Sequence, residues 1–330
     1  MNFAPSVYEH CALLIGKSPW SVSRHADLLF AAQSEAFRRY GHSPVVVGVD
    51  IYNLEAEAYG AVVEQPSGDG IPAITRPICA DLEALAALPP LDPAAGRIPM
   101  AIGVGTRLKR AFPEADVRIP VAGPFSIAAN LLGFDELLCA VLSEPDRARS
   151  ALAHLVEGQA RFCAAVRTAG LDIAFFESAA APPLLSPAQF RDVELPPLKE
   201  TLHRAAEVVG HPVPCVIGGD TAPILPYIIE TGTRYVICPI ETDQAAFMRV
   251  MRAHPEVMVR INMAPGIVAG GAWNQIREEV DRVLRLAAGR ERVCLGTGAL
   301  PYETPPENVV RIKEYVQHRS DAAAPAPGRS

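Results

Sequence analysis

The sequence of 330 residues lacks several features that mark particular classes of protein. It has no run or helical stripe of lysine and arginine, and its net charge is −7, so its charge does not indicate a nucleic acid partner. No stretch approaches the roughly 20 apolar residues of a membrane span. The first residues have neither the basic region nor the long apolar region of a signal peptide. We therefore expect a cytoplasmic protein that interacts with small molecules or other proteins and not with nucleic acid or a membrane.

Paired cysteines and phosphate-binding glycine loops are also absent from the sequence. The seven cysteines occur singly, without a CxxC pair, which is typical of reduced thiols and not of a disulfide framework. No GxGxxG or P-loop motif follows an apolar run. The sequence therefore gives no indication of a bound cofactor.

Short apolar runs rich in β-branched residues recur along the chain, with helical patterns between them. They lie at residues 44–50, 117–123, 172–178, 214–220, 234–241, 257–263 and 292–298. Their hydrophobicity is continuous and not alternating, which predicts strands covered on both faces, as in a parallel sheet. Seven such strands, with room for an eighth, predict an α/β fold of the (β/α)8 TIM-barrel type, and a doubly wound sheet is the alternative.

The region after the first of these runs predicts an insertion. Residues 51–116 are too long for one crossover connection, and residues 60–65 and 70–77 have the pattern of two short strands joined by a turn. We therefore expect a β-hairpin inserted after the first strand.

A proline pair and a biased tail set two further expectations. Residues 186–210 have a helical pattern, in which Pro196 and Pro197 should break or kink the helix. Residues 1–319 are expected to form a single domain. Residues 320–330, rich in alanine and proline, are expected to form a disordered tail.

The reactive groups of a barrel lie at the carboxyl ends of its strands, so the residues that end the apolar runs are the site candidates. The candidate catalytic residues are the carboxylates Asp50, Glu177 and Asp220. The candidate substrate-binding residues at or near the same ends are Tyr52, Asn53, Glu57, Ser178, Gly219, Thr221, Arg260, Asn262 and Thr297.

The first carboxylates also have structural interpretations. Asp50 could cap the segment that follows it, and Glu57 could form a salt bridge on a helix. A carboxylate after the apolar residues before Glu177 is costly unless it is paired or faces a cavity. The structural alternative for Glu177 is therefore an ion pair with Arg260.

The later candidates are equally open to two interpretations. Asp220 and Thr221 precede a helical pattern and could cap it, and a helix N-terminus also binds anions. Arg260 and Asn262 could orient a carboxylate or a phosphate. Alternatively, Arg260 could be a structural counter-ion inside the barrel.

Five segments resemble, in order and spacing, the motifs of the uroporphyrinogen decarboxylase (URO-D) superfamily. They are residues 48–61, 123–133, 175–190, 218–225 and 295–309. The superfamily contains the haem-pathway decarboxylase and the zinc methyltransferases that exchange methyl groups with corrinoid proteins and thiols. The resemblance extends over roughly residues 20 to 318 and implies a (β/α)8-barrel enzyme.

The match to the haem-pathway decarboxylase is incomplete. Asp50 stands where that enzyme has its catalytic aspartate. Its arginine-bearing segment has no counterpart in residues 17–30, its motif tyrosine is matched by Asn130, and its late histidine falls near Leu300 or Pro301. The resemblance therefore implies a different substrate, with Asn130 as a polar wall of the site.

The methyltransferase branch is the better match in residues 52–60, but its zinc ligands are replaced. Its His-x-Cys-Gly motif corresponds to Val216 and Gly218, and its third cysteine to Gly298 or Ala299. Zinc needs three or four nitrogen, sulfur or carboxylate ligands, so we expect the family zinc to be lost.

These observations favour a methyltransferase-like enzyme that acts on a small molecule without zinc. Any corrinoid would belong to a separate partner protein, since its presence is implied only by the resemblance, and a homodimer is possible. The alternative is a decarboxylase or other lyase in which Asp50 stabilises a protonated ring nitrogen. A second alternative is a non-catalytic binding or accessory barrel.

Overall fold

The computed structural model describes the backbone of residues 1–323 and the side chains of residues 1–319. The strands are β1 Asn2–Ser6, β2 Val45–Val46, β3 Val63–Glu64, β4 Ala73–Ile74, β5 Val117–Ala122, β6 Asp172–Phe176, β7 Cys215–Val216, β8 Tyr235–Cys238, β9 Met258–Met263 and β10 Val293–Ala299. The helices are α1 His10–Leu13, α2 Pro19–Arg24, α3 Ala26–Tyr40, α4 Leu54–Ala58, α5 Leu82–Ala86, α6 Ile98–Ala111, α7 Pro124–Leu132, α8 Phe134–Ser143, α9 Pro145–Thr168, α10 Pro187–Gln189, α11 Leu195–Val209, α12 Leu225–Glu230, α13 Gln244–Met251, α14 Pro265–Gly270, α15 Trp273–Ala287 and α16 Pro306–Ala323.

Within these residues, eight parallel strands form the two halves of a (β/α)8 barrel, as predicted. One sheet has the order β1-β10-β9-β8 and the other the order β2-β5-β6-β7, and β7 packs beside β8. The eighth strand is β1, which pairs with β10 from Asn2↔Cys294 onward. The predicted hairpin is present as the antiparallel pair β3-β4. This hairpin follows β2, which is the first of the predicted strands, since the prediction did not include β1.

The main core lies between the strands and the surrounding helices. Alternate residues of the strands point outward and are fully buried there, for example Ile119, Val121, Ile173, Phe175 and Val259. This layer explains why the strands have apolar residues on both faces, as the sequence indicated.

The barrel interior holds a smaller apolar cluster that includes Val46, Ala174, Phe176, Val216 and Ile237. The interior of a (β/α)8 barrel is usually filled by layers of bulky side chains. Here the cluster fills only the middle of the interior, and cavities of about 370 Å³ at the carboxyl ends of the strands and about 520 Å³ at the amino ends lie on either side of it.

The predicted helix 186–210 is interrupted. Ser186 caps α10 with a reciprocal bond to Gln189, a π-helical turn follows over Phe190–Glu194, and α11 begins at Leu195 with a proline in its first turn. The proline pair therefore lies in the first turn of α11, where proline is tolerated, and not in the interior of one long helix.

The structure bears on two further predictions, the C-terminal tail and the absence of a membrane span. The last helix, α16, extends to Ala323, inside the segment predicted as a tail, and residues 324–330 lie outside the described residues. In the described part of the chain no single helix is long and apolar enough to cross a membrane, and α7 and α8 pass that test only as a pair bent by 116°.

Candidate active site

A cavity at the carboxyl ends of the strands brings together residues from both half-barrels. Its lining includes six of the predicted site residues: Asp50, Tyr52, Asn53, Ser178, Arg260 and Asn262. The other predicted residues, Glu57, Asn130, Glu177, Gly219, Asp220, Thr221 and Thr297, do not line it.

Asp50 lies at the cavity wall in a buried ion pair that the sequence did not indicate. Arg97, at the start of α6, donates to both of its carboxylate oxygens at 2.8 and 2.6 Å, and the Asn53 amide donates to Oδ2 at 3.0 Å. Arg97 also donates to Glu57, which in turn accepts from Arg24. The salt-bridge interpretation of Glu57 is therefore confirmed, and both oxygens of Asp50 are engaged by hydrogen bonds from the protein.

Glu177 lies behind the cavity wall. Its Oε1 accepts from the backbone N–H and hydroxyl of Ser126 at 2.8 and 3.2 Å, and its side chain fills the space beside Gly123, where a Cβ would overlap the carboxylate. Burial raises the pKa of Glu177 to about 8. No salt bridge to Arg260 forms among the described side chains, so the alternative of a Glu177–Arg260 pair is wrong.

Asp220 and Thr221 lie beside the barrel mouth, in a turn at Ala222–Ile224. Neither side chain caps this turn. The hydroxyl of Thr242 accepts from the Ala222 N–H at 2.8 Å and donates to Asp220 Oδ1 at 2.7 Å. Thr221 occupies the N-cap position, but neither predicted side chain makes the capping hydrogen bond, because Thr242 accepts from the Ala222 N–H instead.

Gly219 and Thr297 support the backbone near the cavity. Gly219 has φ +87°, and a Cβ there would lie 3.2 Å from the carbonyl oxygen of Pro182. Thr297 Oγ1 accepts from the Ser6 N–H at 3.1 Å and thereby connects β10 to β1.

Ser178 is a hydrogen-bonding group on the cavity wall. Its Oγ accepts from the Tyr52 hydroxyl at 2.7 Å and from the Gly218 N–H at 2.9 Å. Asn130 holds the backbone of Tyr52 by donating to its carbonyl oxygen at 2.7 Å. Because the Ser178 oxygen already accepts two bonds, its own proton is available to a ligand.

Arg260 and Asn262 lie on β9 at the floor and wall of the cavity. Arg260 is only 6% exposed, and its Nε has no hydrogen-bond partner among the described residues, nor does Asn262 Oδ1. The nearby titratable groups are Tyr8, Tyr235 and Cys294, whose pKa values burial raises, so they stay neutral. A buried guanidinium without a carboxylate partner is costly, and the site is therefore suited to an anion.

The positions of the family zinc ligands lie at this cavity but provide no ligands. Val216 and Gly218 line its wall, and Gly298 and Ala299 line its rim. Across residues 1–319, no three His, Cys, Asp or Glu side chains are grouped closely enough to hold a metal ion. Apolar and glycine side chains cannot coordinate zinc, so these four residues provide no ligand, and the loss of the family zinc stays a prediction.

The sequence prediction missed the N-terminal contribution to the site. Ser6, Tyr8 and Glu9 line the cavity because β1 ends there. The strand pattern of Asn2–Ser6 is weak, because the segment is short and contains a proline. The one available signal was that polar residues follow this segment, as they follow the other strands.

Arg97 was missed because it precedes a helix far along the chain from Asp50.

An α/β barrel with a ligand-sized cavity at the carboxyl ends of its strands has the site geometry of the (β/α)8-barrel enzymes. The chain belongs to the uroporphyrinogen decarboxylase (URO-D) family, whose profile matches residues 4–319. Its fold is similar to that of a methyltransferase from Methanosarcina mazei, with a TM-score of 0.80 at 21% identity over 97% of this chain and 94% of that chain. A B12-independent methionine synthase from Shewanella sp. W3-18-1 is more distant, with a TM-score of 0.48 at 11% identity over 68% of each chain. No curated protein matches the sequence.

Proposed function

We propose that the protein is a methyltransferase-like enzyme that binds a small anionic substrate through Arg260 and Asn262. The observation that carries the proposal is the buried Arg260 guanidinium, which has no carboxylate partner among the described residues. A carboxylate, sulfonate or phosphate group would compensate this charge and satisfy its hydrogen bonds. The Asn262 amide and the Ser178 hydroxyl would then orient the rest of the ligand.

The cavity restricts the size of the substrate. Its volume of about 370 Å³ lies near the lower end of the range for small-molecule sites. A tetrapyrrole with many carboxylates needs several fixed cations, and Arg260 is the one lining arginine within residues 1–319. A small monoanion or dianion is the better match.

The reaction is proposed to proceed without the family zinc, since Val216 and Gly218 cannot hold it. The methyl donor is proposed to be a corrinoid on a separate protein that approaches the open mouth. Val62 and Ile71 of the hairpin segment are 61% and 48% exposed, and Ile71 lines the cavity, so this side offers apolar surface to such a partner. A homodimer remains a prediction. The Arg97 pair argues against the lyase alternative, because Asp50 has its oxygens engaged.

The anion proposal is tested by calorimetric titration with 3-mercaptopropionate and its uncharged analogue 1-propanethiol. The wild-type protein should prefer the carboxylate, and Arg260→Met should lower its affinity about 10- to 100-fold, since a hydrogen bond to a charged group contributes about 1.5–3 kcal/mol. The variant should remain folded, because it removes an unpaired buried charge.

Arg204→Met, which removes an arginine paired with Glu157 on the outer helices, is the control and should bind like the wild type. Equal affinity for the thiol and the carboxylate would contradict the proposal. Transfer of a methyl group from methylcobalamin to the thiol, followed by absorbance, tests the reaction itself.

A further inference from the structure

We infer that Glu9 is the residue that exchanges a proton with the substrate in this cavity, an inference that rests on the proposed function. Glu9 directly follows Tyr8 at the end of the β1 segment and lines the cavity with Arg260 and Asn262. The strand-end rule applied to the apolar runs did not find it, because β1 is not among them.

The backbone of Glu9 is fixed at the cavity wall, and its carboxylate has no ion-pair partner among the described residues. Glu9 is 7% exposed, and within residues 1–319 its carboxylate forms no salt bridge and no hydrogen bond to another side chain, while its own backbone N–H donates to it. The Ala12 N–H donates to its carbonyl oxygen at 3.1 Å, and the ring of Tyr8 packs edge-on against Phe176 at 6.2 Å. The backbone around Glu9 is therefore fixed at the cavity wall, while its carboxyl group has lone pairs left to bind a ligand.

The other carboxyl groups near the cavity are less suited to proton transfer. In the described chain the cavity is lined by Glu9, Asp50 and Glu241. Both oxygens of Asp50 accept hydrogen bonds from Arg97, Glu241 is exposed to solvent, and Glu177 lies behind the wall. Glu9 alone among the three combines burial with the absence of an ion-pair partner.

The surroundings of Glu9 bring its pKa near neutral pH. Burial raises the pKa of Glu9 to about 7, and the charge of Glu303 acts in the same direction. The titratable and charged groups around it are Tyr8 and Cys11 on its own segment, Glu303 before α16, and Asp50, Glu241 and Arg260 around the cavity. A general base works best when its pKa is near the working pH.

The chemistry of methyl transfer requires such a group when no metal ligands are available. The carboxylate of Glu9 accepts the proton of the substrate nucleophile, for example a thiol, as the lone pair of that atom forms the new bond to the methyl carbon. The donor on the partner protein would supply the methyl group and would keep the electron pair of the bond that breaks. Glu9 then releases the proton to water at the cavity mouth.

The test compares Glu9→Gln and Glu9→Asp with the wild type in methyl transfer from methylcobalamin to 3-mercaptopropionate. The wild-type kcat should rise with pH with a midpoint near 7. Glu9→Gln should lower kcat about 10²- to 10⁴-fold with KM within about threefold, since the anion anchor is intact, and Glu9→Asp should recover part of the rate. Glu9→Gln with a wild-type rate and pH profile would overturn the inference.

Two comparison variants separate proton transfer from a general effect of charge. Glu241→Gln should keep the pH midpoint of the wild type. Glu207→Gln, on an exposed position of α11, should keep both rate and midpoint. A midpoint that moves with Glu241→Gln and not with Glu9→Gln would assign the proton to Glu241 and overturn the inference.

A second measurement decides the role of Glu9 even if no methyl group is transferred, an outcome that would count against the proposed function. Carbon-13 NMR of the glutamate carboxyls, with Glu9→Gln for assignment, should show a midpoint near 7 that moves when 3-mercaptopropionate binds. A midpoint below about 5.5, or one that the bound thiol does not move, would overturn the inference.

Discussion

The position of Arg260 depends on a glycine on the neighbouring strand. In the register of β9 and β10, Arg260 pairs with Cys294 and Asn262 pairs with Gly296. A Cβ at Gly296 would lie 2.5 Å from Arg260 Cγ and 3.0 Å from the Ala4 carbonyl oxygen. The Arg260 side chain therefore packs over Gly296, and the arginine lines both the cavity at the carboxyl ends of the strands and the cavity at their amino ends.

Gly296→Ala is expected to displace Arg260 without removing its charge. Because the added methyl group meets the arginine stem, affinity for 3-mercaptopropionate should fall about tenfold, or about 1.4 kcal/mol, in calorimetric titration. Gly103→Ala is the control, since this exposed glycine of α6 has open space around its Cβ position, and its stability should rise by about 0.5–1 kcal/mol. Unchanged binding by Gly296→Ala would show that Arg260 does not depend on this close approach.

The site was predictable from the sequence where a residue ends a clear apolar run. Asp50, Ser178, Arg260 and Asn262 were found in this way, and all four line the cavity. Local pattern does not reveal a partner distant in the chain, so the ion pair of Asp50 with Arg97 was missed. For the same reason Glu177, which follows a strand in the sequence, was expected at a cavity that its side chain does not reach.

At the scale of elements, the π-helical turn Phe190–Glu194 places the carboxyl group of Glu194 inside the protein, near that of Glu177. Glu194 is fully buried, and neither of its oxygens has a hydrogen-bond partner among the described residues. Burial, together with the charge of Glu177, raises its pKa well above the usual range. The proline pair that begins α11 explains the break in the helix, and the wide turn before it carries Glu194 into the interior beside the back of the site.

Glu194→Gln is expected to change how stability depends on pH. The folded protein keeps a proton on Glu194 at pH values where the unfolded chain, with a pKa near 4.5, has released it. The wild-type free energy of unfolding therefore falls as pH rises above about 4.5 toward the folded-state pKa. Glutamine cannot ionise, so the variant should match the wild type near pH 5 and exceed it near pH 8 by on the order of 1 kcal/mol or more.

Urea unfolding at pH 5, 6, 7 and 8 measures this difference. Glu9 and Glu55, whose pKa values burial raises to about 7, contribute a similar slope to both proteins. Glu177 interacts with Glu194, so the difference between the two proteins measures the titration of this pair. Glu207→Gln, an exposed control, should follow the wild type at every pH. A Glu194→Gln variant less stable than the wild type at pH 8 would indicate that the carboxyl group is charged and paired.

At the scale of the whole molecule, the barrel was predictable because its strands are continuous apolar runs between helices. The eighth strand was not, since Asn2–Ser6 is short, contains Pro5 and becomes a strand only by pairing with β10. The runs at 44–50 and 214–220 were predicted as full strands, yet β2 and β7 are two residues long. The later residues of both runs belong to the loops that follow β2 and β7, and several of them line the cavity.

Deletion of residues 1–6 is expected to open the barrel. It removes the partner of β10 and the Ser6–Thr297 hydrogen bonds, exposing an unpaired strand edge. The free energy of unfolding should fall by more than about 4 kcal/mol, which exceeds the effect of most single substitutions. Anion binding should be lost because Tyr8 and Glu9 are no longer anchored. Urea unfolding measures the loss of stability, size-exclusion chromatography measures the opening of the barrel, and calorimetric titration measures anion binding.

Deletion of residues 324–330, which the sequence predicts to lie outside the core, is the control. If the protein lacking residues 1–6 unfolded with wild-type stability, closure by β1 would not be needed, and the cavity would have to be stable with its N-terminal wall detached.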